Sequence, residues 1–404
     1  MSTKRVFMDG NAAAAEAFRL ARVQVVAAYP ITPQSPIAES LASFVVKGTL
    51  NAKYIRVESE HTAMSSTIGA ALAGVRACTA TASVGLALMH EMMGVASGLR
   101  LPIVMGVVNR ALVAPWSLWC DHSDTMAERD TGWMQLYAED PQEVLDLTLI
   151  GYRVAEHPSV LLPVMVCQDG FFVSHTGCAV EVPEQNPVDE FVGPYVAANL
   201  KLDPDEPMFV NPLTMSNDYT ELKYQHNVGM ANAEPVLEEV LEEFGKKFGR
   251  TYHRVEFYRC DDAEEVVVTM GSMSGTAVYT VDQLRAEGHK VGAVKIVSFR
   301  PFPYRMLQER LSHVPRIAVL ERATSIGSAG GPVLCEVRSA LANIPATVSG
   351  FVAGLGGRDI TPTTFRKVFD LSRTAAPETL PTWVDVRENA MTIREFVLDQ
   401  EVLA

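Results

Sequence analysis

The run Leu101-Pro-Ile-Val-Met-Gly-Val-Val108 constrains the fold most, because it is short, β-branched and free of charge. Strands of that kind are covered on both faces, which means a parallel sheet with helices packed above and below it. The neighbouring sequence repeats the pattern. Asp9-Gly-Asn followed by an alanine-rich stretch reads as a capped helix. Strands are predicted over 23–28, 53–57, 77–81 and 160–167, and helices from about Ile37 and over 62–74, 86–99 and 141–155, with Ser83-Val-Gly85 as a tight turn. That order of strands and helices predicts an α/β chain built on a parallel sheet. Between 180 and 232 Pro, Asn, Asp and Glu dominate without periodicity, which predicts a long ordered excursion or linker before a charged amphipathic helix over 234–248. A second unit begins near Asp261, with strands over 265–270, 291–296 and 317–320 and helices over 276–287 and after Gly330-Gly-Pro332. Its turn Gly271-Ser-Met-Ser-Gly275 is of a kind that can bind a phosphate.

Arg110 lies just past the carboxyl end of the first run, at the edge of an open α/β sheet where ligands bind. A cation there can anchor a substrate carboxylate; the alternative is pairing with Asp121, Asp124 or Asp130 of the long loop that follows. That loop also carries Trp116 and Trp119. Three prolines stiffen Tyr29-Pro-Ile-Thr-Pro-Gln-Ser-Pro36, which holds the Thr32 hydroxyl at a strand's end or serves only as a helix start. Glu60 stands at a strand-to-helix junction, either as a helix cap or as a working carboxylate.

A formal charge of −14 argues against nucleic acid or an anionic membrane surface as partner. No run of 18 apolar residues occurs and the amino terminus is polar, so neither a spanning helix nor a signal peptide is expected, and the chain reads as cytoplasmic. The six cysteines, at 78, 120, 167, 178, 260 and 335, include no Cys-x-x-Cys, so no metal or iron–sulfur site is expected in this chain.

Taken together and in order, Tyr29-Pro-Ile-Thr-Pro33, Glu58-Ser-Glu60, Asn109-Arg-Ala-Leu112 and Asp121-His-Ser-Asp-x-Met-Ala-x-Arg-Asp-Thr-Gly-Trp133 resemble motifs of one family. It is the pyruvate:ferredoxin oxidoreductase family of thiamin-dependent 2-oxoacid oxidoreductases, and the match is to its α subunit. Gln168-Asp-Gly-Phe-x-x-Ser-His175, Phe299-Arg-Pro-Phe-Pro303 and Gly350-Phe-Val-Ala-Gly-Leu-Gly-Gly-Arg-Asp359 extend the resemblance to about residue 360. It implies a thiamin pyrimidine-binding domain over 1–255, with an excursion from about 180, and a transketolase-C-terminal-like α/β domain over 256–404. It further implies that Glu60 hydrogen-bonds N1′ of the aminopyrimidine, that Tyr29 and Pro30 adjoin the cofactor, and that Thr32 and Arg110 hold the substrate carboxylate. The implied reaction is oxidative decarboxylation of a 2-oxoacid with transfer of the acyl group to coenzyme A.

The family's diphosphate and Mg²⁺ need a Gly-Asp-Gly motif with a downstream Asn, whereas the nearest sequence here, Gln168-Asp-Gly170, lies at the wrong point of the fold. A β subunit is therefore expected to complete the thiamin diphosphate site and supply its Mg²⁺. Iron–sulfur and γ-type subunits are expected to carry the clusters, with ferredoxin or another carrier as acceptor. A self-contained thiamin enzyme and a silent scaffold are the rival readings; the first lacks the diphosphate motif, and the second would have lost Thr32, Glu60 and Arg110.

The loop between Ala111 and Ala127 holds no Lys or Arg, so nothing there pairs the second carboxylate of 2-oxoglutarate, and Thr32 brings only a hydroxyl to a site that oxalate would want doubly cationic. A monocarboxylate is favoured, pyruvate first. Val84, where pyruvate-using relatives commonly have Gln, and the two tryptophans make phenylglyoxylate the runner-up, unless the tryptophans pack on a partner subunit.

Overall fold

The computed structural model describes residues 3–197, 199–376 and 380–387, so 388–404 of the second expected domain lie outside the described residues. The first half runs β1 (Thr3–Met8), α1 (Gly10–Leu20), β2 (Val25–Ala28), α2 (Ser35–Val46), β3 (Lys53–Arg56), α3 (Glu60–Leu72), β4 (Ala77–Thr81), α4 (Ser83–Leu88) and α5 (His90–Gly98). It continues with β5 (Val104–Asn109), α6 (Ser123–Ala127), β6 (Met134–Ala138), α7 (Pro141–Ala155), β7 (Val164–Asp169), β8 (Cys178–Pro183), α8 (Gln185–Val192) and α9 (Ser216–Phe248). The second half runs β9 (Val255–Tyr258), β10 (Glu265–Met270), α10 (Met273–Ala286), β11 (Val291–Ile296), β12 (Ser298–Arg300), α11 (Tyr304–Leu311) and β13 (Arg316–Glu321). It closes with α12 (Pro332–Ala340), β14 (Thr347–Val352), the 3-10 turn Leu355–Gly357, α13 (Pro362–Thr374) and β15 (Thr382–Trp383).

The first sheet has the order β12-β6-β7-β5-β4-β2-β3 and is parallel except at β12. Its central strands β4 and β5 are buried at every position, as their uncharged sequences require. Chain order reverses between β2 and β4, so the crevice at the carboxyl ends of those strands is where a ligand is expected to sit. The second sheet, β15-β14-β13-β10-β11-β9, is parallel except for β9.

Several elements depart from the sequence reading. Ser83-Val-Gly85 is the first turn of α4 and no separate tight turn, and the expected helix over 86–99 is divided between α4 and α5. Within 180–232 the chain forms most of β8, all of α8 and the start of α9, which begins at Ser216 and runs through Pro235. The first turns of α9 are exposed on every side, so they carry no apolar period to read.

Junctions of several kinds fix the halves together. Strand β12 crosses over to pair antiparallel with β6 at the edge of the first sheet. One apolar core contains Met64, Met126, Trp133 and Tyr137 from the first half with Val266, Ile296, Leu307 and Val333 from the second. Lys295, on β11, meets Glu143 at 2.6 Å and Glu139 at 2.9 Å across the junction, and Glu256 at 3.1 Å. One ammonium cannot neutralise three carboxylates: burial pushes Glu143 up to about 7, while Lys295, despite its own burial, is held above the ordinary ammonium value.

Candidate active site

The carboxyl ends of β2 to β5 bring Thr32, Glu60, Ser83 and Arg110 to the same edge of the first sheet, around the crevice. Glu60 opens α3, but the helix is capped by Ser59, whose hydroxyl accepts the Thr62 amide at 3.2 Å. The Glu60 carboxylate is therefore free of the capping task. It is 7% exposed and makes no hydrogen bond among the described residues. A buried carboxylate without a partner is costly unless a ligand supplies one.

Gly85 makes room for it. A Cβ at that position would lie 2.6 Å from Glu60 Oε1 and 2.6 Å from the hydroxyl of Thr81, itself buried and unpartnered. Gly85→Ala must therefore push Glu60 out of place. The expected result is a turnover loss on the order of 10²-fold, the scale of a group misplaced by an ångström, with far-UV circular dichroism unchanged. Wild-type turnover in this variant would mean that the Glu60 position is immaterial.

Arg110, 5% exposed, pairs with none of the loop aspartates through its guanidinium. Two carbonyls orient it: Nη1 donates to Thr32 O at 2.8 Å and Nε to Ser117 O at 3.0 Å, which leaves Nη2 without a hydrogen bond among the described residues. Burial draws it below the ordinary guanidinium value, against the pull of Asp124. Thr32 thus meets Arg110 through its backbone. Its own hydroxyl makes no hydrogen bond among the described residues, while Tyr29 is half-buried and Pro30 exposed on the same loop.

Asp124 joins the two sides of the crevice. Its carboxylate accepts Ser83 N at 2.9 Å, Arg110 N at 3.0 Å and Asn109 Nδ2 at 2.8 Å. Burial lifts it to about 6 in spite of these bonds. The sequence offered Asp124 only as a partner for the Arg110 guanidinium; that it holds the Arg110 backbone and Ser83 together depends on contacts across three loops. Gly85, Thr81 and Ser117 carried no signal, since one acts by lacking a side chain and another through a carbonyl.

Asp169 settles the fate of Gln168-Asp-Gly170. One carboxylate oxygen receives His122 Nε2 at 2.7 Å; the other receives Arg322 Nη1 at 3.0 Å, Ser272 Oγ at 2.5 Å and Ser272 N at 3.1 Å. Burial opposes its charge, yet His122 and Arg322 hold the carboxyl below the usual carboxylate range. Four hydrogen bonds engage this acid, and the Gly271-Ser-Met-Ser-Gly275 turn already has its anion at the start of α10. Where such a turn can bind a phosphate, this one holds a carboxylate of the same chain. Cys120, close to His122 and Asp169, is buried and its thiol is raised by that burial, as an inert cysteine should be.

Trp119 lies against Phe171, ring centroids 4.6 Å apart, and Trp116 is 77% exposed. No helix among the described residues is long and apolar enough to cross a membrane.

Residues 16–242 match the family described as pyruvate flavodoxin/ferredoxin oxidoreductase, thiamine diphosphate-binding, and 263–365 match pyruvate:ferredoxin oxidoreductase core domain II. Pyruvate synthase subunit PorA of Methanothermobacter thermautotrophicus is 46% identical over 95% of this chain and 98% of its own. The PorA subunit of Thermotoga maritima is 49% identical over 91% of this chain and 94% of its own. Ketoisovalerate oxidoreductase subunit VorA of Pyrococcus furiosus is 48% identical over 91% and 93%. The solved 2-oxoglutarate:ferredoxin oxidoreductase of Magnetococcus marinus, with 2-oxoglutarate, coenzyme A and succinyl-CoA bound, shares the fold at a TM-score of 0.71 and 20% identity. That match takes in 91% of this chain and 65% of the longer one. A split-gene transketolase aligns at a TM-score of 0.54 and 13% identity.

Proposed function

Because the chain belongs to the pyruvate:ferredoxin oxidoreductase family, as an α subunit with its thiamin diphosphate-binding domain, we propose that it forms one half of a shared active site. This half, within a pyrimidine-binding domain over 1–255, holds the aminopyrimidine of thiamin diphosphate and the carboxylate of a 2-oxoacid; 256–404 form the transketolase-C-terminal-like domain. A β subunit supplies the diphosphate and Mg²⁺ site. Iron–sulfur and γ-type subunits carry the electrons to ferredoxin or another acceptor. The reaction converts a 2-oxoacid and coenzyme A to acyl-CoA and CO2 with release of two electrons, in the cytoplasm.

The observation that carries this reading is the Glu60 carboxylate, largely enclosed and without a hydrogen-bond partner among the described residues, in the space that Gly85 leaves open. Glu60 would hydrogen-bond N1′ of the bound pyrimidine and keep a proton there while C2 is deprotonated. Arg110 presents Nη2 to the substrate carboxylate, Thr32 adds its hydroxyl, and Tyr29 and Pro30 flank the ring. When bound, thiamin diphosphate supplies the carbon nucleophile and the electron sink for decarboxylation. The engagement of Asp169 with His122, Arg322 and Ser272 favours a metal site on another chain.

For the substrate, the absence of Lys and Arg from the loop 111–127 favours a single carboxylate with a neutral tail, and pyruvate leads. The Trp119 ring packs at a tilt on Phe171, which turns part of that aromatic surface inward and weakens the support for an aryl substrate. A branched-chain 2-oxoacid is the second reading, since the VorA relative is as similar as the PorA relatives. The test is kcat/KM of the assembled enzyme for pyruvate, 2-oxoisovalerate, phenylglyoxylate and 2-oxoglutarate. Pyruvate should lead by about tenfold or more, the discrimination expected from tail methylenes in a fitted pocket. A lead for 2-oxoisovalerate establishes the second reading, and a lead for 2-oxoglutarate defeats the charge argument under both.

A further inference from the structure

Arg110 is aimed in part by the second half of the chain. Its Nε is held by the carbonyl of Ser117, on the limb of the loop that returns from the solvent toward α6. That limb is pinned by the turn Leu355–Gly357, which follows β14. Gly357 N donates to Cys120 O at 2.6 Å, and Gly356 N reaches Asp121 Oδ2 at 3.4 Å. The limb's end is fixed from the same side, where His122 N donates to Arg322 O at 2.8 Å. Gly357 has φ +78°, and a Cβ there would stand 2.4 Å from the Cβ of Trp119. A residue with a side chain at 357 must therefore displace Trp119 and the carbonyls on either side of it.

We propose that the turn Leu355–Gly357 is a positioning element of the 2-oxoacid site: its backbone sets the limb 117–122, the Ser117 carbonyl sets the Arg110 guanidinium, and the turn thereby sets KM for the 2-oxoacid. The inference rests on the reading of Arg110 as the carboxylate anchor. Glu60, Gly85 and Thr81 make no hydrogen bond with this turn among the described residues; the proton-transfer side of the crevice is reached from it only at second hand, from Trp119 O through Ala111 to Ser83.

The experiment uses the assembled enzyme with Gly357→Ala, Trp119→Gly, the double variant and Arg110→Ala. Gly357→Ala alone should raise KM for the 2-oxoacid about tenfold, the scale expected when a binding group is misdirected by less than an ångström. Proton exchange at thiazolium C2, read by NMR, should keep its wild-type rate. With Trp119→Gly the obstructing Cβ is gone and only the backbone strain of a positive φ at 357 remains, so adding Gly357→Ala should then raise KM by no more than about threefold, a relief that general destabilisation would not give. An unchanged KM, an equal rise in both backgrounds, or a fall in C2 exchange together with the rise in KM overturns the proposal. Arg110→Ala separates the two levels of failure. If it leaves KM unchanged, the anchor reading itself falls; if it raises KM and Gly357→Ala does not, only the positioning role falls.

Discussion

Glu60→Gln should slow proton exchange at thiazolium C2 by at least about 10²-fold in the assembled enzyme while leaving subunit assembly intact. The amide has the shape of the carboxylate and fits the same space against Gly85, so the substitution changes chemistry with little change of volume. What it removes is an acceptor able to hold a proton at N1′. Because Ser59 caps α3, the helix should keep its first turn, and a loss of exchange cannot be ascribed to fraying there. NMR exchange rates and native mass spectrometry on the same preparation decide the matter. Wild-type exchange would reduce Glu60 to a charge at a helix terminus.

Lys295→Met should produce the largest loss of stability, about 3–5 kcal/mol, the usual cost of removing one partner from a buried ionic cluster. Three carboxylates from both halves of the chain would then face one another without a cation. The pH dependence gives a sharper check. Glu143 already titrates near 7 in the fold, and without the ammonium it must climb further. A carboxyl whose folded value is raised takes up a proton that the unfolded chain has given up, so its stability is present below the ordinary carboxylate range and is lost as pH rises through the folded value. The deficit of the variant should therefore be larger at pH 8 than at pH 6 in urea unfolding. A deficit below about 1 kcal/mol, or one independent of pH, would show that the cluster is solvated after all.

The parts of the fold that are legible in the sequence are those in which burial alone decides the pattern. Strands β5 and β7 are enclosed on both faces and read as apolar runs up to the polar residues at their carboxyl ends. Strand β6, Met-Gln-Leu-Tyr-Ala, is equally buried but has Gln135 as its second residue, where Nε2 donates to Thr125 O at 2.8 Å, and that partner is invisible without the fold. Strand β1 pairs with β8 across most of the first half, a contact that no local pattern announces. The site divides in the same way. Glu60, Thr32 and Arg110 follow strand ends, where functional groups are sought, and family motifs mark all three. Ser117 and Gly357 act through backbone atoms, and the carboxylate of Asp169 does its work on the opposite half of the molecule.

The antiparallel pairing of β12 with β6 bears on how the chain can be divided. Cutting the polypeptide between the two sheets would leave β6 as a bare, fully buried-type edge strand and would strip the face on which Trp133 and Tyr137 pack. Such an edge is a template for pairing with other chains. The halves are distinct in topology but share a sheet edge and an apolar core, so a fragment ending near residue 255 should expose an edge strand that the intact chain covers with three residues from its second half.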